Sequence, residues 1–272
     1  MGAAGLAKIK GLPNMHETLP DCAILGLGYL GRPLAQKLYE NGCGVAAVKR
    51  HLTSDDINLP IRLDAVDLNR PDIFQMALWQ HWAGKPTWFC LLPPSAFNDY
   101  VTTLQKWLQL AESFGVRHII FTGSTSVYGD EVRECDETST LQPYTDNAKQ
   151  IAAAESLFLN SRIPHTDILR LGGLYSAERH PVTRLVSKHN INGGNRPVNV
   201  VHQDLAVATL FQTALNPNGK RIKNVVEPHH PSRAVFYAAE AVKLGLPAPD
   251  FNSDDRSSGK IVNTVCVHGL SL

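Results

Sequence analysis

The run Phe121-Thr122-Gly123-Ser124-Thr125-Ser126-Val127-Tyr128-Gly129-Asp130 sets a group of hydroxyl side chains directly after the apolar stretch His118-Ile119-Ile120-Phe121. Hydroxyls just beyond the carboxyl end of a strand face the crevice where open α/β sheets take their ligands, and there they can hold a reacting oxygen. The same residue types also form Ser/Thr-rich loops whose hydroxyls only satisfy nearby backbone groups. A second pattern bears on that choice. Cys22-Ala23-Ile24-Leu25 reads as a short buried strand and runs into Gly26-Leu27-Gly28-Tyr29-Leu30-Gly31, followed by the helical spacing Leu34, Ala35, Leu38. Strand, glycine turn and helix stand in the order that a dinucleotide pyrophosphate requires. Gly26 allows the tight turn, Gly28 lets the backbone approach the pyrophosphate, and Gly31 lets the helix pack close to the strand, with Tyr29 and Leu30 completing the loop. The anion would sit at the helix N-terminus, and Pro33 in that first turn removes no hydrogen bond the helix needs.

The elements that must position these residues alternate. Candidate strands fall at 22–25, 44–48, 61–64, 87–92, 117–122, 166–170 and 222–226, and candidate helices near 32–41, 71–80, 97–114, 146–160, 203–215 and 233–244. Such alternation predicts an α/β fold with a doubly wound parallel sheet of the Rossmann type. The chain of 272 residues is 43% hydrophobic, enough for a substantial core.

Composition excludes several function classes. A formal net charge of +1 gives no reason to expect nucleic acid or an anionic membrane as partner. No apolar run reaches the ~18 residues of a membrane span. Residues 1–19 read as a flexible leader, broken by Gly11 and Pro13 and lacking the apolar centre of a secretory signal. The five cysteines, Cys22, Cys43, Cys90, Cys135 and Cys266, show no CxxC spacing, which argues against a disulfide framework and predicts a cytoplasmic protein. His229-His230 lacks a third ligand at fixed spacing, so no metal site is expected.

Together the two motifs resemble the short-chain dehydrogenase/reductase superfamily, in its extended branch of NAD(P)-dependent epimerases and dehydratases. The resemblance runs from about Asp21 to about Phe251 and rests further on Leu169-Arg170-Leu171-Gly172-Gly173-Leu174-Tyr175 and Val200-Val201-His202-Gln203-Asp204-Leu205-Ala206. Extended members typically space their glycines GxxGxxG; this chain has GxGxxG and looks like the atypical subgroup. The resemblance implies a Rossmann domain over 20–172, continued by 200–226, and a small substrate-binding lobe from 173–199 and 227–272. The chain is shorter than typical sugar-nucleotide epimerases, which implies a small hydroxyl- or carbonyl-bearing substrate, with a sugar derivative as one form.

Cofactor choice is read at the end of the second strand, where an NAD-binding protein places an acidic residue for the ribose hydroxyls. Lys49-Arg50-His51 stands there instead, a cationic cluster suited to a 2′-phosphate, although a solvated basic turn has the same composition. NADP is therefore the expected cofactor, with NAD as the alternative. By resemblance, Asp67-Leu68 would contact the adenine, and Leu92-Pro93 would line the nicotinamide ribose through packing or carbonyls. Asp67 equally suits a cap for the helix expected near Pro71.

The family's chemistry uses a Ser that orients the reacting oxygen, a Tyr that exchanges the proton, and a Lys that binds the nicotinamide ribose. Ser124 matches the first. Tyr144 and Lys149 are the candidates for the others, but they are five apart where the family has four. On a regular helix that spacing turns the lysine about 140° away from the tyrosine. Three readings stay open: a distorted first turn that keeps the pair, Thr145 in the tyrosine's place, or loss of the proton-transfer site, with the helix phase counted from Glu155 putting Ile151 in the lysine's place. The functional expectation is an NAD(P)-dependent oxidoreductase or epimerase/dehydratase-like enzyme; its rival is a catalytically inactive NADP-binding sensor. A homodimer is expected through the two long helices, using Leu104, Leu108, Ala111, Ile151, Ala152 and Leu159.

Overall fold

The computed structural model describes residues 20–265, so the expected leader over 1–19 and Cys266 lie outside the described residues. Strands β1 (Cys22–Leu25), β2 (Val45–Lys49), β3 (Arg62–Ala65), β4 (Thr87–Cys90), β5 (His118–Ser124), β7 (His165–Leu171) and β10 (Lys220–Val225) form one sheet in the order β3-β2-β1-β4-β5-β7-β10. Every pairing in it is parallel. The chain winds outward from β1 to β3, then returns past β1 to β4 and winds the other way. Leu25 is consequently paired with Val48 on one side and Cys90 on the other, and the crevice for a ligand opens where the winding reverses.

Alternating strand residues feed two cores. Ile24, Ala47, Phe89 and Ile120 pack under α1 (Gly31–Glu40) and α5 (Gln203–Leu215) through Leu34, Leu38, Leu210 and Phe211. Leu25, Val48, Trp88 and Phe121 pack under α3 (Tyr100–Ser113) and α4 (Asp146–Leu159) through Leu104, Trp107, Ile151 and Phe158. Leu104, Leu108, Ala111 and Ile151 are thus buried against the chain's own sheet, and the surface named for a dimer contact lies largely inside the molecule.

The helix expected at 71–80 is instead two 3₁₀ turns, Ile73–Gln75 and Ala77–Trp82, separated by Met76 in extended backbone. The i,i+3 eclipse of a 3₁₀ turn brings Trp79 and Trp82 onto one side. There Trp82 packs edge-on against Trp79, Trp88 and Trp107, and Trp79 Nε1 donates to the Ile73 carbonyl at 2.7 Å. Four tryptophans in one core outweigh helix periodicity in this segment.

Beyond the main sheet, β8 (Gly173–Tyr175) pairs with β9 (Val200–His202), and β6 (Glu134–Cys135) with β11 (Ile261–Val262). The short helix α2 (Ser54–Ile57) follows β2, and α6 (Arg233–Lys243) packs over Val198 and Val200 through Phe236. Among the described residues no helix is long and apolar enough to cross a membrane, and no group of three or more His, Cys, Asp or Glu side chains is placed to hold a metal ion. Cys22, Cys43, Cys90 and Cys135 are buried free thiols.

Candidate dinucleotide site

The three glycines after β1 meet three different surroundings. Gly26 has φ +104°, and a Cβ there would stand 2.7 Å from Leu92 Cδ2. A Cβ on Gly31 would lie 2.1 Å from the Gly26 carbonyl oxygen, so only glycine lets α1 approach the strand. A Cβ on Gly28 would meet nothing within 4 Å. Two of the glycines are therefore demanded by the protein's own packing, while Gly28 faces open space. The turn is anchored by the Gly26 and Leu27 amides, both donating to the Val48 carbonyl at 3.2 Å. Leu30 caps α1 without a side-chain hydrogen bond; in the first turn the Arg32 amide donates to the Gly28 carbonyl at 3.0 Å and Pro33 has no N–H, which leaves the Gly31 amide and the helix dipole for an anion.

A cavity of about 340 Å³ adjoins this turn. Gly26, Leu27 and Gly28 form its floor. Val48, Val66, Leu68, Leu92, Pro93 and Phe97 make an apolar slot, Ser95 and Ala96 close one side, and Lys49, Arg50 and His51 form its cationic end. No Asp or Glu belongs to the lining. The slot suits an adenine ring and the cationic end a phosphate, so the residues present fit a phosphorylated dinucleotide.

The basic residues are not equivalent. Lys49 Nζ is 2.6 Å from Asp56 Oδ2 and Arg32 Nη1 is 3.3 Å from Asp56 Oδ1, on a carboxylate with no exposed side-chain surface. Burial alone would raise the Asp56 pKa, but the Lys49 ammonium and the Thr53 amide and hydroxyl hold it at about 2. Lys49 therefore lines the cavity with its charge already partnered, a change from the free cation expected. Arg50 donates to the Ala96 carbonyl and lies 3.9 Å from Asp67 through an exposed, weak pairing. Asp67 itself accepts the Asn69 backbone amide at 3.1 Å and the Asn69 side-chain amide at 3.0 Å, which hold its pKa below the usual carboxylate range. It shapes the turn after β3 and stands outside the cavity lining, whereas the neighbouring Leu68 is in it.

Beyond β4, Ser124 terminates β5 and its Oγ accepts the Ser126 amide at 3.1 Å. Tyr128 is fully buried: its hydroxyl accepts from Arg170 Nη1 at 2.8 Å and donates to Asn224 Oδ1 at 2.9 Å. Burial, above all, raises its pKa, so the phenol is a neutral link. Arg170 is also bound to Glu155 Oε2 by its Nη2 at 2.7 Å, beneath Gly123, where a Cβ would come 2.5 Å from Glu155 Oε1.

Tyr144 and Lys149 are not brought together on a helix face. Tyr144 precedes the N-cap of α4 and is 79% exposed. The Lys149 side chain is 59% exposed and lies 3.5 Å from Asp146. Thr145 caps α4, its hydroxyl accepting the Ala148 amide at 3.2 Å, so it does not fill the tyrosine's place either. The inward face of α4 carries Ala148, Ile151, Glu155 and Phe158. Counted from Glu155, Ile151 lies on the buried side of the helix and Lys149 on the exposed one.

No protein-family model matches the chain. Protein YeeZ of Escherichia coli strain K12 is 32% identical over 261 residues, which cover 89% of this chain and 90% of YeeZ. The chain belongs to the YeeZ family. Among solved structures, MoeE5 in complex with UDP-glucose and NAD is similar at TM-score 0.73 and 22% identity, over 89% of this chain and 90% of that one. The UDP-glucuronic acid 4-epimerase of Bacillus cereus in complex with NAD is similar at TM-score 0.73 and 16% identity, over 90% of both chains.

Within the YeeZ family member described here, the sequence motifs led to Gly26, Gly28, Lys49, Arg50, Leu68, Leu92 and Pro93, all of which line the cavity, and to Tyr29, Leu30 and Gly31 beside it. Ser95, Ala96 and Phe97 were missed; the signal for them was Pro93-Pro94, which opens the 3₁₀ turn Pro94–Ala96 that follows the strand and lines the cavity.

Proposed function

We propose that this YeeZ-family protein binds NADP or NADPH in the cavity at the glycine turn and acts as an NAD(P)-dependent oxidoreductase or epimerase/dehydratase-like enzyme. The observation that carries the reading is the cavity's polarity: open space at Gly28, an apolar slot, and Arg50 and His51 at the end of β2 with no carboxylate in the lining. Two solved neighbours contain NAD, and the missing carboxylate is what supports the phosphorylated cofactor here. Gly26, Gly28 and the first turn of α1 would hold the pyrophosphate, Leu68 and Phe97 the adenine, and Arg50 the 2′-phosphate. Bound there, the nicotinamide supplies hydride chemistry. Ser124 is the residue of this chain proposed to hold the substrate oxygen.

The test is titration with NADPH, NADH, NADP and NAD, read by nicotinamide fluorescence and thermal shift. The phosphorylated pair should bind about tenfold or more tightly, and Arg50→Ala should remove most of that preference. Equal affinity for all four would withdraw the NADP assignment, and no binding would withdraw the reading. A second reading, an NADP-binding sensor without turnover, is favoured by one observation: α4 turns Ile151 inward and Lys149 outward. Tight NADPH binding that changes the association state, with no hydride transfer to any carbonyl compound tested, would select it.

A further inference from the structure

Arg179 lies on the exposed segment that follows β8 and puts its guanidinium carbon 4.9 Å over the ring of Tyr29. Tyr29 is the residue after Gly28, the one glycine of the turn that faces open space. It is tied down from a second direction, because Gln203 Nε2, at the start of α5, donates to its carbonyl at 2.6 Å. Its hydroxyl oxygen is buried and has no hydrogen-bond partner among the described residues. Arg179 also differs from the other arginines around the glycine turn. Arg32 is bound to Asp56 and Arg50 leans on Asp67, whereas no carboxylate pairs with Arg179 among the described residues.

An aromatic face beneath a guanidinium fixes the plane of the fork and lowers its hydration while leaving the N–H donors unused. The turn and the positive dipole end of α1 beside it favour phosphate. We infer that Arg179 is a cofactor-binding residue, reaching from the substrate lobe across the glycine turn to donate to the pyrophosphate oxygens, with Tyr29 as its platform. The inference rests on the dinucleotide reading above. It also gives the lobe a direct grip on the cofactor, so that cofactor binding and the position of the segment after β8 are linked.

The test uses the full-length protein and two ligands: NADPH, which has the pyrophosphate, and adenosine 2′-monophosphate, which has the 2′-phosphate but no pyrophosphate. Arg179→Ala should weaken NADPH by about tenfold and leave adenosine 2′-monophosphate unchanged, as loss of a charge-assisted hydrogen bond requires. Arg179→Lys should fall between, and Tyr29→Leu should weaken NADPH by a few-fold with the same selectivity. Unchanged NADPH affinity in Arg179→Ala overturns the inference. So does equal weakening of both ligands, because that marks a general disturbance of the site. If the unaltered protein binds neither ligand, the dinucleotide reading itself has failed; if it binds both, the outcome for Arg179 stands on its own.

Discussion

The two ends of the crevice were built to different standards. At the β1–β2–β4 end two glycines are demanded by the protein's own packing, a third opens onto space, and Lys49, Arg50 and His51 line a cavity with no carboxylate in its lining. At the β5–α4 end Ser124 terminates the strand, yet Tyr144 and Lys149, the pair expected for proton transfer, do not meet on α4. A buried Arg170–Glu155 pair lies beneath Gly123 instead, joined through Tyr128 to Asn224. The contrast separates two demands on this fold: the glycine turn and its cavity carry the features a dinucleotide reading asks for, whereas the tyrosine–lysine pair expected for proton transfer is not assembled on α4.

The sharpest way to break that contrast is at the buried pair. Glu155→Ala leaves a guanidinium uncompensated in the interior, and destabilisation of about 3–5 kcal/mol is expected by urea unfolding. Replacing both partners with apolar residues of similar volume should recover much of the loss. A loss below 1 kcal/mol for Glu155→Ala would mean that water reaches the pair and that this end of the crevice is open.

Next in size is a pair of glycine variants. Gly31→Val sets a side chain against a carbonyl oxygen that a Cβ alone would approach to 2.1 Å. Overpacking of that kind should cost about 3 kcal/mol and lower the melting temperature. Gly28→Ala has room in the protein and should leave stability within about 0.5 kcal/mol. It should nonetheless weaken NADPH by about tenfold, because the space it fills belongs to the ligand. If Gly28→Ala binds NADPH normally, the open space is not the pyrophosphate's.

Asp56 gives a smaller effect with a definite sign. Its pKa is about 2 in the folded chain against an ordinary 3.8, so the group adds stability that is fully present above the ordinary value and is lost as pH falls towards 2. Unfolding midpoints of the unaltered protein should decline between about pH 4 and pH 2 more steeply than those of Asp56→Asn. Parallel curves would show that Lys49 and Thr53 do not hold the carboxylate in solution.

How much of this was legible before the fold was known differs between the same two ends. Backbone requirements leave residue-level traces: a glycine at positive φ, a proline pair ending β4, and a strand that stops at Lys49-Arg50-His51 can all be read as letters. Partnerships do not. Nothing in the letters says that Asp56 will neutralise Lys49, that Asn69 will occupy Asp67, or that four tryptophans will pull residues 73–82 into 3₁₀ turns, since each depends on chain segments meeting in space. For α4 the letters held the answer in a different form. The spacing of Tyr144 and Lys149 was visible, but only the burial of Ile151 and Glu155 fixed the phase of the helix.

The smallest expected effect is the one that tests this phase directly. Lys149 ends in solvent beside Asp146, and Tyr144 is exposed ahead of the N-cap. Lys149→Ala should therefore leave NADPH affinity within about twofold and stability within about 0.5 kcal/mol, the usual range for a surface substitution. Tyr144→Phe should behave alike. Should Lys149→Ala instead lower NADPH affinity tenfold, the first turn of α4 must rearrange on binding to carry the lysine to the ribose. The two ends of the crevice would then be coupled through that turn, and the sensor reading would lose the observation that favours it.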